Sequence, residues 1–417
     1  MFDVFLIGID SALLVLSSIT TRQLLRSYRL FAPTRAQGQA QSQKPLYTAG
    51  LAPTVSVCIP ARNEQHVMTD CLTRVLQSTY PKLEIIVLDD SSTDNTSALI
   101  KSFASEGVRF VEGEPLPAGW LGKNHALQGL LETASGDYIL FLDVDTMLAP
   151  HTIDTLITQA IANDAAMISA LPRRDDGWRA SVFFSPLRYY WELVFYRRLA
   201  PASSSSAWLI ERNELLRRFD GFKAFKATFR PEAHIAAELS ERGRYRFYIS
   251  DETFGVAYEK KWRSQLLTSV RLLFPFVGGK RFMAFIALLG LLVLLAPFIA
   301  ALALAATALI APPAAVSLMT LLPGCAALGI MLLFGLFFSV LYASYARHVW
   351  QKGWYLGFVL WPIVLVQEIV LLITSVIAHT THRVTWKGRP LMLVKTRSSD
   401  SPGLTGSTDS SAEQQAK

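Results

Sequence analysis

The chain has 417 residues, of which 51% are hydrophobic and 18% charged, with a formal net charge of +7. That length holds one catalytic domain of ordinary size plus membrane segments. Apolar character is segregated: residues 52–260 have soluble-domain patterning, whereas 282–378 are almost continuously apolar. The basic excess therefore reads as retention of flanking loops on the cytoplasmic side. Nucleic acid is not an expected partner, because no recognition motif accompanies the aromatic and basic stretches near 188–198 and 258–281. Cys58, Cys71 and Cys325 have neither metal-ligand nor disulfide spacing, so no zinc or redox chemistry is indicated.

Val4–Thr20 is about one bilayer thickness long as a helix, and Arg22, Arg26 and Arg29 follow it. Charge after the apolar run, not before it, predicts an uncleaved anchor over residues 1–22 with its N-terminus outside. Residues 23–53 read as a linker. The domain at 54–259 opens with a β-branched strand, Val55–Ile59, followed by helical periodicity over Glu64–Ser78. A second strand, Leu83–Leu88, leads to a turn at Ser91–Thr96 and a helix at Ala98–Ala104. A third strand (Val108–Val111), a helix (Lys123–Thr133) and a fourth strand (Tyr138–Leu142) come next. Alternation at this spacing predicts an α/β fold with a mostly parallel sheet, in which ligands bind beyond the carboxyl ends of the strands. Three polar clusters lie just there: Ala61–Glu64, Asp89–Asp94 and Asp143–Asp145.

Asp143 and Asp145 follow a strand with one residue between them. If that segment is extended, both carboxylates face the same way and suit Mg²⁺ or Mn²⁺ on a diphosphate. Asp89, Asp90 and Asp94 follow another strand; the first two are the better candidates for bonds to a base or ribose, and the third for helix capping. Gly122-Lys123 opens a helix, which places Lys123 to meet phosphate oxygens.

Beyond the domain, Lys260–Gly279 reads as an amphipathic helix in the headgroup plane, or as one packed on the domain. Apolar blocks follow at Phe282–Ala311, Ala314–Ser344 and Trp354–Ala378. Three full crossings would put the basic residues Arg383, Lys387 and Arg389 outside, against the positive-inside rule; the first two blocks are longer than a simple span and contain Pro297 and Pro323, so a re-entrant or kinked block is expected and the crossing number stays open. Arg188–Arg198 reads as an aromatic helix facing the membrane or buried, Ser203–Ser206 as a candidate flexible loop, and 398–417 as a disordered tail.

The runs Ile59-Pro60-Ala61-Arg62-Asn63-Glu64, Val87-Leu88-Asp89-Asp90-Ser91-Ser92-Thr93-Asp94, Pro117-Ala118-Gly119-Trp120-Leu121-Gly122-Lys123 and Leu142-Asp143-Val144-Asp145 resemble the family 2 glycosyltransferases of the GT-A fold. The resemblance covers about residues 54–265. With Trp386-Lys387-Gly388-Arg389 it is most similar to the subgroup that glycosylates carotenoids and hopanoids, with ceramide glucosyltransferases more distant. It implies an inverting hexosyltransferase taking a UDP-sugar donor, Mg²⁺ or Mn²⁺, and a membrane lipid acceptor. It also implies a cytoplasmic domain on a multi-pass protein of a bacterial plasma membrane.

By the same resemblance Pro60, Arg62, Glu64, Asp89 and Asp90 line the nucleotide pocket. Lys123 sits near the diphosphate, and Asp143 and Asp145 bind it through metal. The family's usual catalytic Asp is replaced in Arg230-Pro231-Glu232-Ala233-His234, which leaves Glu232 as the expected base and His234 as second choice. Tyr258-Glu259-Lys260-Lys261-Trp262 keeps only part of the polymerase element. Trp262 then roofs the acceptor side of the pocket or anchors at the interface. Alternatives are a processive polysaccharide synthase and a non-catalytic donor-binding relative.

Overall fold

The computed structural model describes residues 2–31, 49–175, 177–197, 200–310, 318–387 and 389–390. Helix α1 (Phe2–Phe31) runs past the apolar stretch through its basic residues. The domain begins with β1 (Val55–Ala61), α2 (Met68–Leu76), β2 (Leu83–Asp89), α3 (Thr96–Ser102), β3 (Val108–Glu112), α4 (Gly122–Thr133) and β4 (Tyr138–Leu142). Helix α2 starts later than the periodicity suggests. The carbonyl of Glu64 is taken by the N–H groups of Val67 and Met68 in a turn, which leaves Glu64 at the sheet edge. Next come β5 (Thr146–Leu148), α5 (Thr152–Ala162), β6 (Met167–Leu171), β7 (Arg173–Arg174), α6 (Ala180–Phe183) and α7 (Arg188–Val194). The domain ends with β8 (Ala207–Glu211), α8 (Arg212–Phe219), α9 (Pro231–Glu241), β9 (Tyr245–Ile249) and β10 (Val256–Tyr258). Helices α10 (Trp262–Phe276), α11 (Arg281–Ile310), α12 (Leu318–Val349) and α13 (Leu356–Thr380) follow, then a hairpin of β11 (Thr385–Trp386) and β12 (Arg389–Pro390).

The main sheet has the order β3-β2-β1-β4-β8-β6-β9, with β8 antiparallel to β4 and β6 and the remaining pairs parallel. The chain moves outward from β1 to β2 and β3, then returns to place β4 on the other side of β1. This reversal opens a crevice at the carboxyl ends of β1, β2 and β4.

Alternation along β1 sends Val55, Val57 and Ile59 into one core with Met68, Leu72, Leu140 and Leu156, and Cys58 into the other. The second core includes Leu130, Phe141 and Trp208, and continues without a break into Leu291, Phe338, Tyr342 and Trp361 of the long helices. Tyr190 of α7 is 1% exposed and meets the rings of Tyr345, Trp361 and Tyr342 at 5.4, 5.7 and 5.9 Å. The aromatic helix is thus a buried joint, not a membrane-facing wall; Arg198 at its expected end lies outside the described residues.

Four helices, α1 and α11–α13, are long and apolar enough to cross a membrane. Their outer faces stay bare, with Val4 73%, Phe282 70%, Leu302 72% and Val359 65% exposed. Apolar surface on this scale calls for a lipid environment.

Helix α13 differs from the others because the domain touches it from end to end. The Gln351 N–H just before it donates to the Arg174 carbonyl (3.1 Å). Farther along, Gln367 Nε2 donates to the Phe184 carbonyl (2.9 Å), and Glu368 accepts the Leu187 N–H (3.2 Å). At the far end α13 repairs a defect in α10. Pro275 lacks an N–H and crowds the preceding turn, which frees the Arg271 carbonyl. His379 Nε2 contacts that carbonyl at 2.9 Å. The Ser375 hydroxyl accepts the Phe274 N–H (2.9 Å) and donates to the Val270 carbonyl (2.6 Å), so it is inserted into the helix ladder.

Helix α10 is accordingly packed through Gln265, Ser269, Leu272, Leu273 and Phe274, while Trp262 and Leu267 remain exposed. The tail at 398–417 and most of the linker lie outside the described residues. Ser375→Val should strand two buried backbone groups and cost about 1–3 kcal/mol, read as a lower midpoint in thermal unfolding of the detergent-solubilised protein.

Candidate active site

The crevice is floored by the loops that leave β1, β2 and β4. After β2, Asp89 is 4% exposed and accepts hydrogen bonds from the hydroxyls of Ser92 and Ser97. Its backbone carbonyl accepts the Gly113 N–H at 2.9 Å, and a Cβ on Gly113 would lie 2.8 Å from that same oxygen. Asp94 accepts from the N–H and hydroxyl of Thr96, the first residue of α3, in a turn before the helix; the N-cap is Asn95, with no side-chain cap bond. Asn63 and Ser91 both sit in the left-handed region (φ 51° and 55°). The two loops then bond across: the Asn63 backbone N–H donates to Ser92 Oγ, and the Thr93 N–H to Asn63 Oδ1. Pro60 lies beyond Cys58, the last β1 residue paired with β4, where the two strands part.

After β4, Asp143-Val144-Asp145 is a turn closed by the Thr146 N–H on the Asp143 carbonyl (2.9 Å). The extended geometry expected from the spacing is not adopted. The carboxylates are brought to a common place instead by two lysines. Lys123 Nζ at the start of α4 is 2.5 Å from Asp143 Oδ1, and Lys260 Nζ is 3.4 Å from Asp145 Oδ2. Burial alone would lower the Lys260 ammonium, but Asp145 and Asp143 outweigh it and hold it above its ordinary value. Both aspartates also act on Glu64, whose carboxyl is raised chiefly by burial.

Two further cations arrive from beyond α13. Lys387 Nζ is 2.8 Å from Glu64 Oε1, and Arg389 Nη1 is 2.7 Å from Asp90 Oδ2. Burial raises the Asp90 carboxyl, and Arg389 and Arg62 partly offset this. Arg62 spans the loops, donating to the carbonyls of Asp90, of Ser91 (2.9 Å) and of Lys387 (3.3 Å).

A second charged cluster lies behind the Asp143 turn. Glu232, in the first turn of α9, is 3% exposed, with Oε1 at 3.3 Å from Arg230 Nε. Arg230 Nη1 is also 3.1 Å from Glu192 Oε1, which Arg188 approaches at 3.3 Å. Burial would lower Arg230, but Glu192 and Glu232 dominate and raise it. Burial lowers His234, which stacks on Phe225. The two clusters are joined by 203–206: Arg230 Nη2 donates to Ser203 Oγ (2.8 Å), and the Ser206 carbonyl accepts the Asp143 N–H (2.8 Å). Ser203 and Ser204 are fully buried, so this is a pinned connector and not the loose loop that its serine content suggests.

Trp262 stands apart, 37% exposed and edge-on to Phe184 at 5.6 Å. An apolar groove of about 500 Å³, lined by Val340, Ala343, Arg347, Trp354 and Phe358 among others, lies at the opposite end of α13 from the hairpin and suits an apolar chain.

The structure therefore brings Arg62, Glu64, Asp89, Asp90, Lys123, Asp143 and Asp145 to one crevice and sets Glu232 in an adjoining buried cluster. Sequence reasoning missed Lys260, Glu192 and Arg230, and read Lys387 and Arg389 mainly as membrane-flanking charges. The partners of Lys260, Lys387 and Arg389, and the pairing of Arg230 with Glu192, come through long-range folding, so the sequence pattern alone did not assign them.

Comparison with known proteins agrees with this geometry. Residues 56–218 match the model "Glycosyl transferase family 2". Glycosyltransferase GlyG of Streptococcus pneumoniae serotype 4 is 30% identical over 116 residues, which is 27% of this chain and 37% of that protein. The 4,4'-diaponeurosporenoate glycosyltransferase of Staphylococcus aureus (strain bovine RF122) is 31% identical over 121 residues, 28% of this chain and 32% of that one. The chain thus matches these curated relatives over about a third of their length. Among solved structures, the mannosyltransferase PcManGT from Pyrobaculum calidifontis, in complex with GDP-Man and Mn²⁺, aligns with a TM-score of 0.51 at 19% identity. That alignment covers 89% of this chain and 98% of PcManGT, and it shows a shared fold.

The two clusters should respond differently to loss of a cation. Arg230→Met leaves the buried Glu232 carboxylate without its cation, Glu192 keeping only Arg188, and should cost about 3–5 kcal/mol in unfolding free energy. Lys123→Met breaks a partly exposed pair and should cost less than about 1 kcal/mol. Denaturant unfolding of both variants in detergent measures the contrast.

Proposed function

We propose that this chain, a family 2 glycosyltransferase of the GT-A fold by its domain at residues 56–218, transfers a hexose from a nucleotide-activated sugar to a membrane lipid. The donor we favour is a UDP-sugar, and the acceptor a hydroxyl or carboxyl on a polyisoprenoid such as a carotenoid or hopanoid. The observation that carries this reading is that a carboxylate-and-lysine crevice at the strand ends is built on the same core as four long apolar helices.

Asp143 and Asp145 fit a hard divalent cation. Both are partly exposed oxygen donors, and among the described residues no third His, Cys, Asp or Glu completes an all-protein cage. An ion held there keeps open positions for phosphate and water, as Mg²⁺ or Mn²⁺ does. When bound, it supplies charge neutralisation for the departing nucleoside diphosphate. Lys123 and Lys260, released from the aspartates, then meet phosphate oxygens from either side. Arg62 and the Asp89–Asp90 loop hold the nucleoside end, and Pro60 sets the opening of the crevice. The acceptor oxygen forms a bond to the anomeric carbon as the bond to phosphate breaks, and its proton passes to Glu232. Arg230, 3.3 Å from that carboxylate, holds it in place, while Trp262 and the apolar groove mark the lipid side.

The membrane arrangement follows from α13. Its ends both meet the domain, so we place α1, α11 and α12 across the bilayer and α13 along the domain side, its bare face toward lipid. All the basic clusters then share the domain's side: Arg22, Arg26 and Arg29; Lys280 and Arg281; Arg347 and Lys352; Arg383, Lys387 and Arg389. The end of α11 at Ile310, the start of α12 at Leu318 and the N-terminal end of α1 lie on the other. In this proposal the third apolar block, and not one of the two proline-containing blocks before it, is the one that does not cross.

Two experiments test these statements. Purified protein with Mn²⁺, labelled UDP- and GDP-sugars and extracted membrane lipids should place label in a discrete lipid. Transfer should be lost on chelation and in Asp145→Asn, and kcat should fall about 10²–10⁴-fold in Glu232→Gln with donor affinity kept. Label in long polymer, or no transfer from any donor, contradicts the reading. For the membrane arrangement, an impermeant maleimide should modify Val4→Cys, at the N-terminal end of α1, in intact cells and reach His382→Cys only after permeabilisation. Modification of His382→Cys in intact cells rules it out.

A further inference from the structure

The hairpin after α13 supplies the crevice from farthest along the chain. It crosses about three hundred residues of sequence to place Lys387 on Glu64 and Arg389 on Asp90, while Arg62 donates to the Lys387 carbonyl and Lys387 Nζ donates to the Asn63 carbonyl at 3.2 Å. Lys387 holds a left-handed backbone conformation (φ 48°), which is unfavourable for a residue with a side chain. Its position is fixed from behind, because α13 is tied to α10 by Ser375 and His379 just before the hairpin begins.

Glu64 lies close enough to feel both Asp143 and Asp145, so the Lys387 ammonium joins Lys123 and Lys260 at the same crevice. The crevice is charge-matched as it stands. Glu64, Asp90, Asp143 and Asp145 each have a cation of their own: Lys387, Arg389, Lys123 and Lys260. A divalent cation together with a diphosphate carrying two charges adds no net charge. It can therefore enter by exchange of partners, the carboxylates turning to the metal and the lysines to phosphate.

We infer that the hairpin is a working part of the donor site: Lys387 binds the diphosphate of a nucleoside diphosphate, and Arg389, seated on Asp90, is the dock that positions it. This rests on the donor reading given above and adds to it a phosphate contact supplied from the far side of the membrane helices. Donor binding is thereby coupled to the seating of α13, since the residue that reaches phosphate is carried on the end of that helix.

The test is direct binding of UDP and of GDP with Mn²⁺ to the full-length protein in detergent, by calorimetry, together with the matching nucleosides by competition. Lys387→Ala should weaken the nucleoside diphosphate that binds by about 10-fold or more and leave its nucleoside unchanged. Lys387→Arg should restore most of the loss, and Arg389→Gln should reproduce it by undocking the hairpin. Unchanged affinity in Lys387→Ala overturns the inference. Equal weakening of nucleoside and diphosphate also overturns it by showing a merely structural role, and tighter binding does so by showing that the hairpin obstructs the site. If wild type binds neither nucleotide, the donor reading falls, and the inference falls with it.

Discussion

Carboxylates cannot be gathered at the end of a buried sheet unless something neutralises them. In this protein each partner comes from a different part of the chain. Lys123 opens a helix of the domain, Lys260 precedes the helix that leaves it, and Lys387 and Arg389 return from beyond the long apolar helices. The crevice is consequently also where distant parts of the chain are held together. A ligand that brings both a cation and an anion can replace those internal pairs without leaving any charge uncompensated. The same arrangement therefore serves stability in the empty state and recognition in the filled one.

The second constraint is mechanical. Pro275 breaks the ladder of α10, and the freed backbone groups are satisfied by Ser375 and His379 of α13. One face of the main sheet shares its apolar core with Phe338, Tyr342 and Trp361. Domain and apolar helices are thus one packed body, so the charged crevice and the bare apolar faces keep a fixed relation. Glu232 lies between these two regions, in the cluster joined to the Asp143 turn by Ser203–Ser206.

Much of this was legible in the sequence. The strands β1 to β4 fall where β-branched runs and turn residues put them, and Tyr138–Leu142 needed no adjustment, because buried parallel strands are written as continuous apolar runs. Asp89, Asp90, Lys123, Asp143 and Asp145 stand at strand or helix ends, so the α/β rule alone assigns them to one edge. What could not be read depends on tertiary contact. The aspartate pair lies in a turn because the Thr146 N–H finds the Asp143 carbonyl. Ser203–Ser206 looks loose by composition and is pinned by Ser169, Glu192 and Arg230. Helix α13 looks like any other span by hydropathy, and only its bonds to Phe184, Leu187 and α10 set it along the domain.

The most direct test of the account is a structure determined with Mn²⁺ and the nucleotide sugar that binds. The account predicts that the Lys123–Asp143 and Lys260–Asp145 pairs open, with both carboxylates on the ion and the lysines on the diphosphate. Nucleotide bound with both pairs intact, or an ion held by other residues, would contradict it.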